Sequence, residues 1–238
     1  MNTDPVRLNI TLPKKLVQSL DKLAGPRKRS RFIAEALENQ IKQYEEAMSI
    51  AEKAEDLFRL YLVKSYNGRA HTMIGNPDQG RVLLEESLTL AEQIGTKFWL
   101  AWQKTALAAC LFKLGEYEAG SHFCQEAILL GEETNDKYVI AYANRTFAEI
   151  LFHLEPSDPE KADQAILEAM RIQQEIDVKP ELARSNLSYA NLFKDRGEKE
   201  KAIEYLVKAI DMFQQMGMTW DLAQADEIHR NLRIEIST

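Results

Sequence analysis

The chain has 238 residues, of which 45% are hydrophobic and 28% charged, and it contains two cysteines. This composition is ordinary for a soluble globular protein, and two thiols are too few for a disulfide framework. No apolar stretch approaches the roughly 20 residues of a membrane-spanning helix, and the start MNTDPVRLNI lacks the apolar segment of a secretory signal. A cytoplasmic protein with no membrane partner is expected.

The net charge of −7 is divided unevenly along the chain. Residues 1–43 contain nine Lys and Arg against four Asp and Glu, a formal charge of +5, so the remainder carries −12. A basic segment joined to an acidic body is typical of a nucleic-acid-binding head. Because phosphate repels an acidic body, we expect contact with DNA to be confined to the head.

Residues 4–43 predict one strand followed by two helices. Polar and apolar residues alternate strictly through 6–12, which indicates a half-buried strand. Pro13 ends the strand and suits the first turn of a helix, and Gly25-Pro26 separates that helix from a second one. So small a unit has too little core to fold alone, and its strand would lack a partner. We therefore expect an obligate dimer in which two chains pair this strand antiparallel.

The order VRLNITLPKKLVQSLDKLAG followed by RKRSRFIAEALENQI resembles the ribbon-helix-helix DNA-binding domain of the MetJ, Arc and CopG type. The resemblance implies a homodimer that binds double-stranded DNA through its shared strands. It implies that bases are read by Arg7, Asn9 and Thr11, whose side chains suit hydrogen bonds to base edges. It also implies phosphate contacts at the start of the second helix, from Lys28, Arg29, Ser30 and Arg31.

One position departs from that family, since many members have Ser or Thr where Lys28 stands. The substitution removes a helix cap and adds a cation that can contact phosphate. The alternative to base reading is an amphipathic edge strand whose polar residues, like the basic loop, are merely solvated.

A repeat of about forty residues occupies the rest of the chain. Gly75 and Gly115 are 40 residues apart, and a second series steps by 40, 42 and 40 residues through Gly95, Asn135, Asp177 and Gly217. The two extra residues fall in the turn sequence Pro156-Ser157-Asp158-Pro159. Small residues recur at three further positions, which predicts close helix packing: Gly68, Ala108, Ala148 and Ala190; Gly80, Gly120, Ala162 and Ala202; Ser87, Ala127, Ala169 and Ala209.

This spacing is similar to that of the tetratricopeptide repeat over about residues 61–217, with a closing helix near 221–234. The resemblance implies a mainly α protein in which the ribbon-helix-helix head carries an α-solenoid of about four 40-residue helix pairs. The usual unit has about 34 residues, so longer second helices are expected here, as in the extended repeats of some bacterial regulators. An armadillo or HEAT array, with a period of about 40–47 residues, is the competing interpretation.

The two parts join without a linker rich in Gly, Pro or Ser. Residues 44–52 match residues 84–92, one period later, so half a repeat begins where the head ends. We expect a DNA-binding and dimerisation domain at 1–43 and a helical-repeat domain at 44–238, connected by a stiff helical junction.

Stacked helix pairs form a concave groove that is lined mainly by their first helices. The repeat alignment places the following candidates in it: Arg69, Trp102, Thr105, Phe112, Tyr142, Arg145, Glu149, Asn191 and Lys194. Aromatic rings beside Arg suit a protein or peptide partner. In the alternative interpretation Trp102 and Tyr142 pack between units, the polar residues are solvated, and the body serves dimerisation.

The sequence has no nucleotide-binding, esterase or zinc-protease motif, and Cys110 and Cys124 lack the paired spacing of a zinc site. Buried structural thiols are expected, and neither catalysis, a metal nor a cofactor is predicted. The sequence predicts a nucleoid-associated transcriptional regulator, most simply a repressor, with a protein or peptide partner in its groove. Two alternatives remain: an antitoxin that autoregulates its operon, and a scaffold whose head merely dimerises.

Overall fold

A computed structural model describes residues 43–44, 46–154 and 157–237 of the chain. The predicted strand and the two predicted head helices fall outside this range. So do the candidate base-reading residues, Arg7, Asn9 and Thr11, and the candidate phosphate contacts, Lys28, Arg29, Ser30 and Arg31. The ribbon-helix-helix head and the domain boundary at 43/44 therefore stay predictions.

Helices of 17 to 19 residues follow one another through residues 57–237. They are α1 (Leu57–Met73), α2 (Pro77–Ile94), α3 (Lys97–Leu114), α4 (Tyr117–Thr134), α5 (Lys137–His153), α6 (Pro159–Glu175), α7 (Lys179–Asp195), α8 (Lys199–Met216) and α9 (Thr219–Ser237). Each helix packs on the next, and the first helices of successive pairs, α1, α3, α5 and α7, also pack on one another. The first helices thus form an inner layer, which is the architecture of an α-solenoid. The predicted mainly α helical repeat is confirmed for this part of the chain.

The turns between units repeat a left-handed backbone conformation. Their positive-φ residues, with φ between 52° and 76°, are Glu55, Gly95, Asn135, Asp177 and Gly217. Asn and Asp adopt this conformation more readily than other residues with side chains, so they replace Gly at two of these turns. The repeat predicted from the sequence is therefore marked by the same left-handed backbone geometry at each turn between units.

Half a repeat precedes α1, as the sequence predicts. Residues 46–53 are helical and end just before Glu55, which lies one period ahead of Gly95. Ala51 is 2% exposed and corresponds to the fully buried Ala91 in α2. The connection from this segment to the head lies outside the described residues.

The two-residue excess of the third unit lies in the connection between α5 and α6. Asp158 caps α6 by accepting a hydrogen bond from the Lys161 N–H, and Pro159 occupies the first turn, where no backbone donor is needed. The helices of every unit have 17 or 18 residues. The expectation that the second helices are the longer ones is therefore wrong, because both helices of a unit are of nearly equal length.

All the repeated small residues are buried where paired helices meet. The backbones of the first pair approach closely: a Cβ atom on Gly80 would lie 2.8 Å from the Gly68 carbonyl oxygen, and one on Gly68 would lie 3.0 Å from the Gly80 carbonyl oxygen. Large apolar side chains fill the space around these contacts, and Leu84 and Leu206 are fully buried. None of the described helices has the length and apolarity needed to cross a bilayer.

Candidate ligand groove

A groove of about 400 Å³ runs along the inner layer from α1 to α9. Its wall consists of one face of each first helix and of the closing helix, with lining residues spaced three or four apart as on one side of a helix. The central lining side chains are Tyr138, Tyr142, Arg145, Thr146 and Glu149 on α5, and Glu181, Arg184, Leu187, Ser188 and Asn191 on α7. The ends are formed by α1 with Arg69, α3 with Phe112 and Lys113, and α9 with Trp220, Asp221 and Gln224.

A chain of ion pairs crosses the groove floor and joins three helices. Arg145 Nη1 lies 2.7 Å from Glu181 Oε2, and Glu181 Oε1 lies 2.6 Å from Arg184 Nη1. Arg184 Nε in turn lies 2.9 Å from Asp221 Oδ1 on α9. The side chains of Arg145 and Glu181 are 11% and 12% exposed, so this pair is shielded from solvent and salt.

The charges around Glu181 decide its protonation. Burial alone would raise the pKa of its carboxyl group, but the positive charges of Arg145 and Arg184 outweigh burial and hold that pKa below its ordinary value. Glu181 is thus a carboxylate at neutral pH, and it fixes two guanidinium groups in the groove.

Tyr142 lies between two guanidinium groups from different helices. The Arg145 Cζ atom is 5.0 Å from the ring centroid, and the Arg69 Cζ atom, which reaches over from α1, is 5.8 Å away. Such cation–π contacts hold an arginine in place while leaving its N–H groups free to donate. Next to it, burial raises the pKa of the Tyr138 phenol, which therefore stays neutral.

Six of the nine side chains predicted for the groove line it: Arg69, Phe112, Tyr142, Arg145, Glu149 and Asn191. Trp102 instead packs between units, with its ring stacked on Tyr138 and its Nε1–H bonded to Asp136. Lys194 does not line the groove, and its Nζ atom lies 3.3 Å from Asp195 Oδ1.

Thr105 is fully buried and donates its hydroxyl to the Ala101 carbonyl oxygen at 2.9 Å, so its side chain does not reach the groove. It shares its repeat position with Arg145, 40 residues later. The long arginine side chain extends from that position to the groove, whereas the short threonine bonds within its own helix.

The alignment missed Tyr138, Glu181, Arg184 and Ser188, all of which line the groove. Ser188 donates a hydrogen bond to Glu149 and so orients that carboxylate. Two features of the sequence point to two of these residues. Tyr138 stands four residues before Tyr142 and therefore on the same face of its helix, and Arg184 stands 42 residues, one repeat, after Tyr142. Glu181 becomes recognisable only once the stacking of α5 on α7 is known.

The two cysteines are free, buried thiols. Cys110 Sγ donates to the Pro77 carbonyl oxygen at 3.3 Å, and burial raises the pKa of both thiols. Within residues 43–44, 46–154 and 157–237, no three His, Cys, Asp or Glu residues are grouped so as to hold a metal ion. The prediction that this protein is not an enzyme stays a prediction.

The sequence matches no protein-family profile and no curated protein. Solved structures do share its fold. BtubC from P. vanneervenii superposes with a TM-score of 0.58 at 16% identity over 85% of this chain and 92% of that one. A Rap protein in complex with competence and sporulation factor gives a TM-score of 0.59 at 16% identity over 93% of this chain.

The described body has the fold of these helical-repeat proteins, a tetratricopeptide-like α-solenoid. At 16% identity the likeness establishes the fold alone. The chain spans 65% of the length of the Rap protein.

Proposed function

We propose that this chain is a sequence-specific DNA-binding regulator whose groove binds a peptide or an extended segment of a partner protein. The observation that carries the proposal is the groove itself: five helices converge on one space with aromatic rings, guanidinium groups and carboxylates directed into it. Clefts that combine apolar walls with a few placed polar groups are the usual ligand sites of proteins.

A peptide suits this groove better than a compact small molecule. The groove extends across the whole inner layer, so an elongated ligand can contact every unit. Asn191 and Gln224 offer amide groups along its length, which match the regular N–H and C=O groups of a peptide backbone. Thr72 and Ser188 donate their hydroxyls to the Gly68 carbonyl oxygen and to Glu149, and their oxygens can still accept from a ligand. The Rap structure that shares this fold is itself a complex with competence and sporulation factor.

The DNA-binding half of the proposal rests on the sequence of residues 1–43. The charge of +5 and the Arg7, Asn9 and Thr11 face suit the major groove, where bases are distinguished. A homodimer paired through the predicted strand would present two such faces and select a palindromic site. Peptide binding in the body would then adjust the spacing or mobility of the two heads, and with it the affinity for DNA.

Two matched truncations of exposed apolar side chains test the groove as a binding site. Trp220 is 48% exposed and lines the groove, whereas Leu129 is 60% exposed on α4, a second helix that does not line it. We expect the full chain to retain peptides from a randomised pool. Trp220→Ala should weaken binding of the retained peptides about tenfold or more, since a buried aromatic contact contributes several kcal/mol. Leu129→Ala should leave their binding unchanged. Retention of no peptide, or equal losses in both variants, would contradict the proposal.

A further inference from the structure

One amide beneath the groove is buried without a hydrogen-bond partner. In the part of the chain that the structure describes, four buried side-chain atoms lack such a partner, and two of them are Nε2 and Oε1 of Gln173 on α6. The residue is 2% exposed. An amide that loses its hydrogen bonds to water and gains none in return lowers stability, so a buried group of this kind calls for an explanation.

The repeat itself does not require an amide at this position. The equivalent residues are Ala91 in α2, Gly131 in α4 and Phe213 in α8, and all three are buried. Those units therefore close at this point with an apolar side chain or with none. Since packing between helices is achieved elsewhere without a polar group, Gln173 points to a partner that is not part of the repeat.

A narrow cleft beside Gln173 adjoins the groove. Its walls come from α5, α6 and α7, and its lining residues are Tyr138, Ala141, Tyr142, Gln173, Ile176 and Glu181. Three of these, Tyr138, Tyr142 and Glu181, also line the groove, so the cleft lies directly behind the groove wall. With the side chains in this arrangement the cleft is too narrow to admit a water molecule, so water does not satisfy the amide there.

The part of the wall between cleft and groove consists of aromatic rings that weak contacts hold in place. The ring of Tyr138 stacks on Trp102 with the centroids 5.1 Å apart. The ring of Tyr142 is contacted by the guanidinium groups of Arg69 and Arg145. Stacking and cation–π contacts are individually weak, and a ring turns about its side-chain bonds without moving the helix. A turn of either ring would open the cleft to a ligand in the groove.

We propose that Gln173 is the floor of a subsite that takes a carboxamide side chain, Asn or Gln, of the peptide bound in the groove. This inference rests on the proposed function and adds to it the side chain that the groove selects. Gln173 has both a donor and an acceptor without a partner, and a second carboxamide pairs with both at once. A carboxylate has no donor for Oε1, and an ammonium or guanidinium group has no acceptor for Nε2. A hydroxyl is a poorer match, because one oxygen must serve both atoms.

Peptide selection with a matched pair of variants tests the subsite. Gln173→Met removes the amide and keeps an unbranched side chain, and Gln174→Met makes the same change at the neighbouring, exposed residue of α6. Short randomised peptides, in one pool with Asn and Gln and in another without them, are offered to the full chain and to both variants. We expect the unaltered chain and Gln174→Met to enrich Asn or Gln at one peptide position, and Gln173→Met to lose that preference.

A double-mutant cycle then joins the two amides. Replacing the enriched Asn by Leu, or the enriched Gln by Met, in a retained peptide should raise its dissociation constant about tenfold for the unaltered chain, since the Gln173 amide is again left unpaired. The same replacement should change binding to Gln173→Met less than twofold. Equal losses for the two proteins overturn the subsite, as does enrichment of hydroxyl or charged residues in place of Asn and Gln.

Thermal unfolding without peptide provides a second readout. Because Gln173→Met removes an unpaired buried amide, we expect the melting temperature to rise by about 2–4 °C, while Gln174→Met leaves it unchanged. A lower melting temperature for Gln173→Met would show that the amide is already paired within the chain, which overturns the subsite. If Trp220→Ala still weakens the retained peptides, the groove remains a peptide site. Retention of no peptide from either pool overturns both proposals.

Discussion

The indole Nε1–H of Trp102 donates a hydrogen bond to Asp136 Oδ2 at 3.0 Å. The other carboxylate oxygen, Oδ1, accepts from the backbone N–H groups of Tyr138 and Val139 at 3.1 and 3.2 Å and so caps α5. A single carboxylate therefore joins α3 to the first turn of α5. This contact places Trp102 in the packing between units, where its role is to hold the inner layer together.

Removing the indole N–H should lower stability. Trp102→Phe keeps an aromatic ring but loses the hydrogen bond, so we expect the free energy of unfolding to fall by about 1 kcal/mol more than in Trp99→Phe. Trp99 is a suitable control because it is also half-buried among aromatic rings, against Phe58 and Tyr61. Urea denaturation measures both, and equal losses would show that the hydrogen bond to Asp136 contributes nothing.

The ion pair between Arg145 and Glu181 should stabilise the solenoid in a pH-dependent way. Glu181→Gln leaves two guanidinium groups without their shared carboxylate, so we expect a loss of about 2 kcal/mol at pH 7. Since the folded state lowers the pKa of Glu181, its contribution is present above the ordinary carboxyl pKa, about 4.3, and is lost as the pH falls through the folded-state pKa.

The stability difference between the unaltered chain and Glu181→Gln should therefore shrink below about pH 4.3. Glu204→Gln is the control, because Glu204 pairs with Lys208 on an exposed face of α8 and should change stability by less than about 0.5 kcal/mol. A difference that stays constant from pH 7 to acid would show that the charge of Glu181 is not what stabilises the contact.

Two buried glycines at the same repeat position should respond differently to Ala. At Gly80 the new Cβ would lie 2.5 Å from Thr72 Oγ1 and 2.8 Å from the Gly68 carbonyl oxygen, so α1 and α2 must move apart. We expect Gly80→Ala to cost about 2 kcal/mol. At Gly120 the closest atom is Ile150 Cδ1 at 2.9 Å, the end of a flexible side chain, and the backbone oxygen of Ala108 is 3.4 Å away.

Gly120→Ala should accordingly change stability by less than about 1 kcal/mol, because the higher helix propensity of Ala offsets the displacement of Ile150. Ala162 and Ala202 already occupy this position in the next two units. Thermal unfolding of the two variants checks the ranking. A larger loss of stability for Gly120→Ala than for Gly80→Ala would contradict the idea that the close backbone contact between α1 and α2 determines the cost of the added Cβ.

Much of the solenoid could be predicted because its determinants are local. Positive φ at Gly95, Asn135 and Asp177 follows from which residues tolerate that conformation, so the period can be counted along the chain. Small residues such as Ala108 and Ala148 mark the places where helices pack closely, and their positions too can be counted along the chain. Three of the five α5 side chains that line the groove, Tyr142, Arg145 and Glu149, could be placed there from the repeat position alone.

The rest of the site depends on relations between units that a period does not contain. Arg145 pairs with Glu181, 36 residues on, and Arg184 with Asp221, 37 residues on, because each first helix is displaced and rotated against the next. Thr105 shows a second limit: a correct repeat position does not determine whether a side chain is long enough to reach the groove.

Substitutions in the predicted head should separate base reading from phosphate contact. Asn9→Ala should relax the sequence preference, because an amide that pairs bidentately with adenine contributes about 1–3 kcal/mol of discrimination. Arg29→Ala should weaken binding to all sequences and reduce the dependence of log affinity on log salt by about one unit. Binding titrations against specific and random duplexes at several salt concentrations measure both. A uniform loss in Asn9→Ala would contradict base reading.

The central claim is that one chain joins a DNA-reading head to a ligand-binding groove, and selection of duplexes from a random DNA pool tests it most directly. The full chain is used at low salt, with and without a peptide that its groove retains. We predict enrichment of a two-fold-symmetric sequence whose dissociation constant changes severalfold when the peptide is added. Failure to enrich any sequence, or an affinity for DNA that the bound peptide leaves unchanged, would contradict the account.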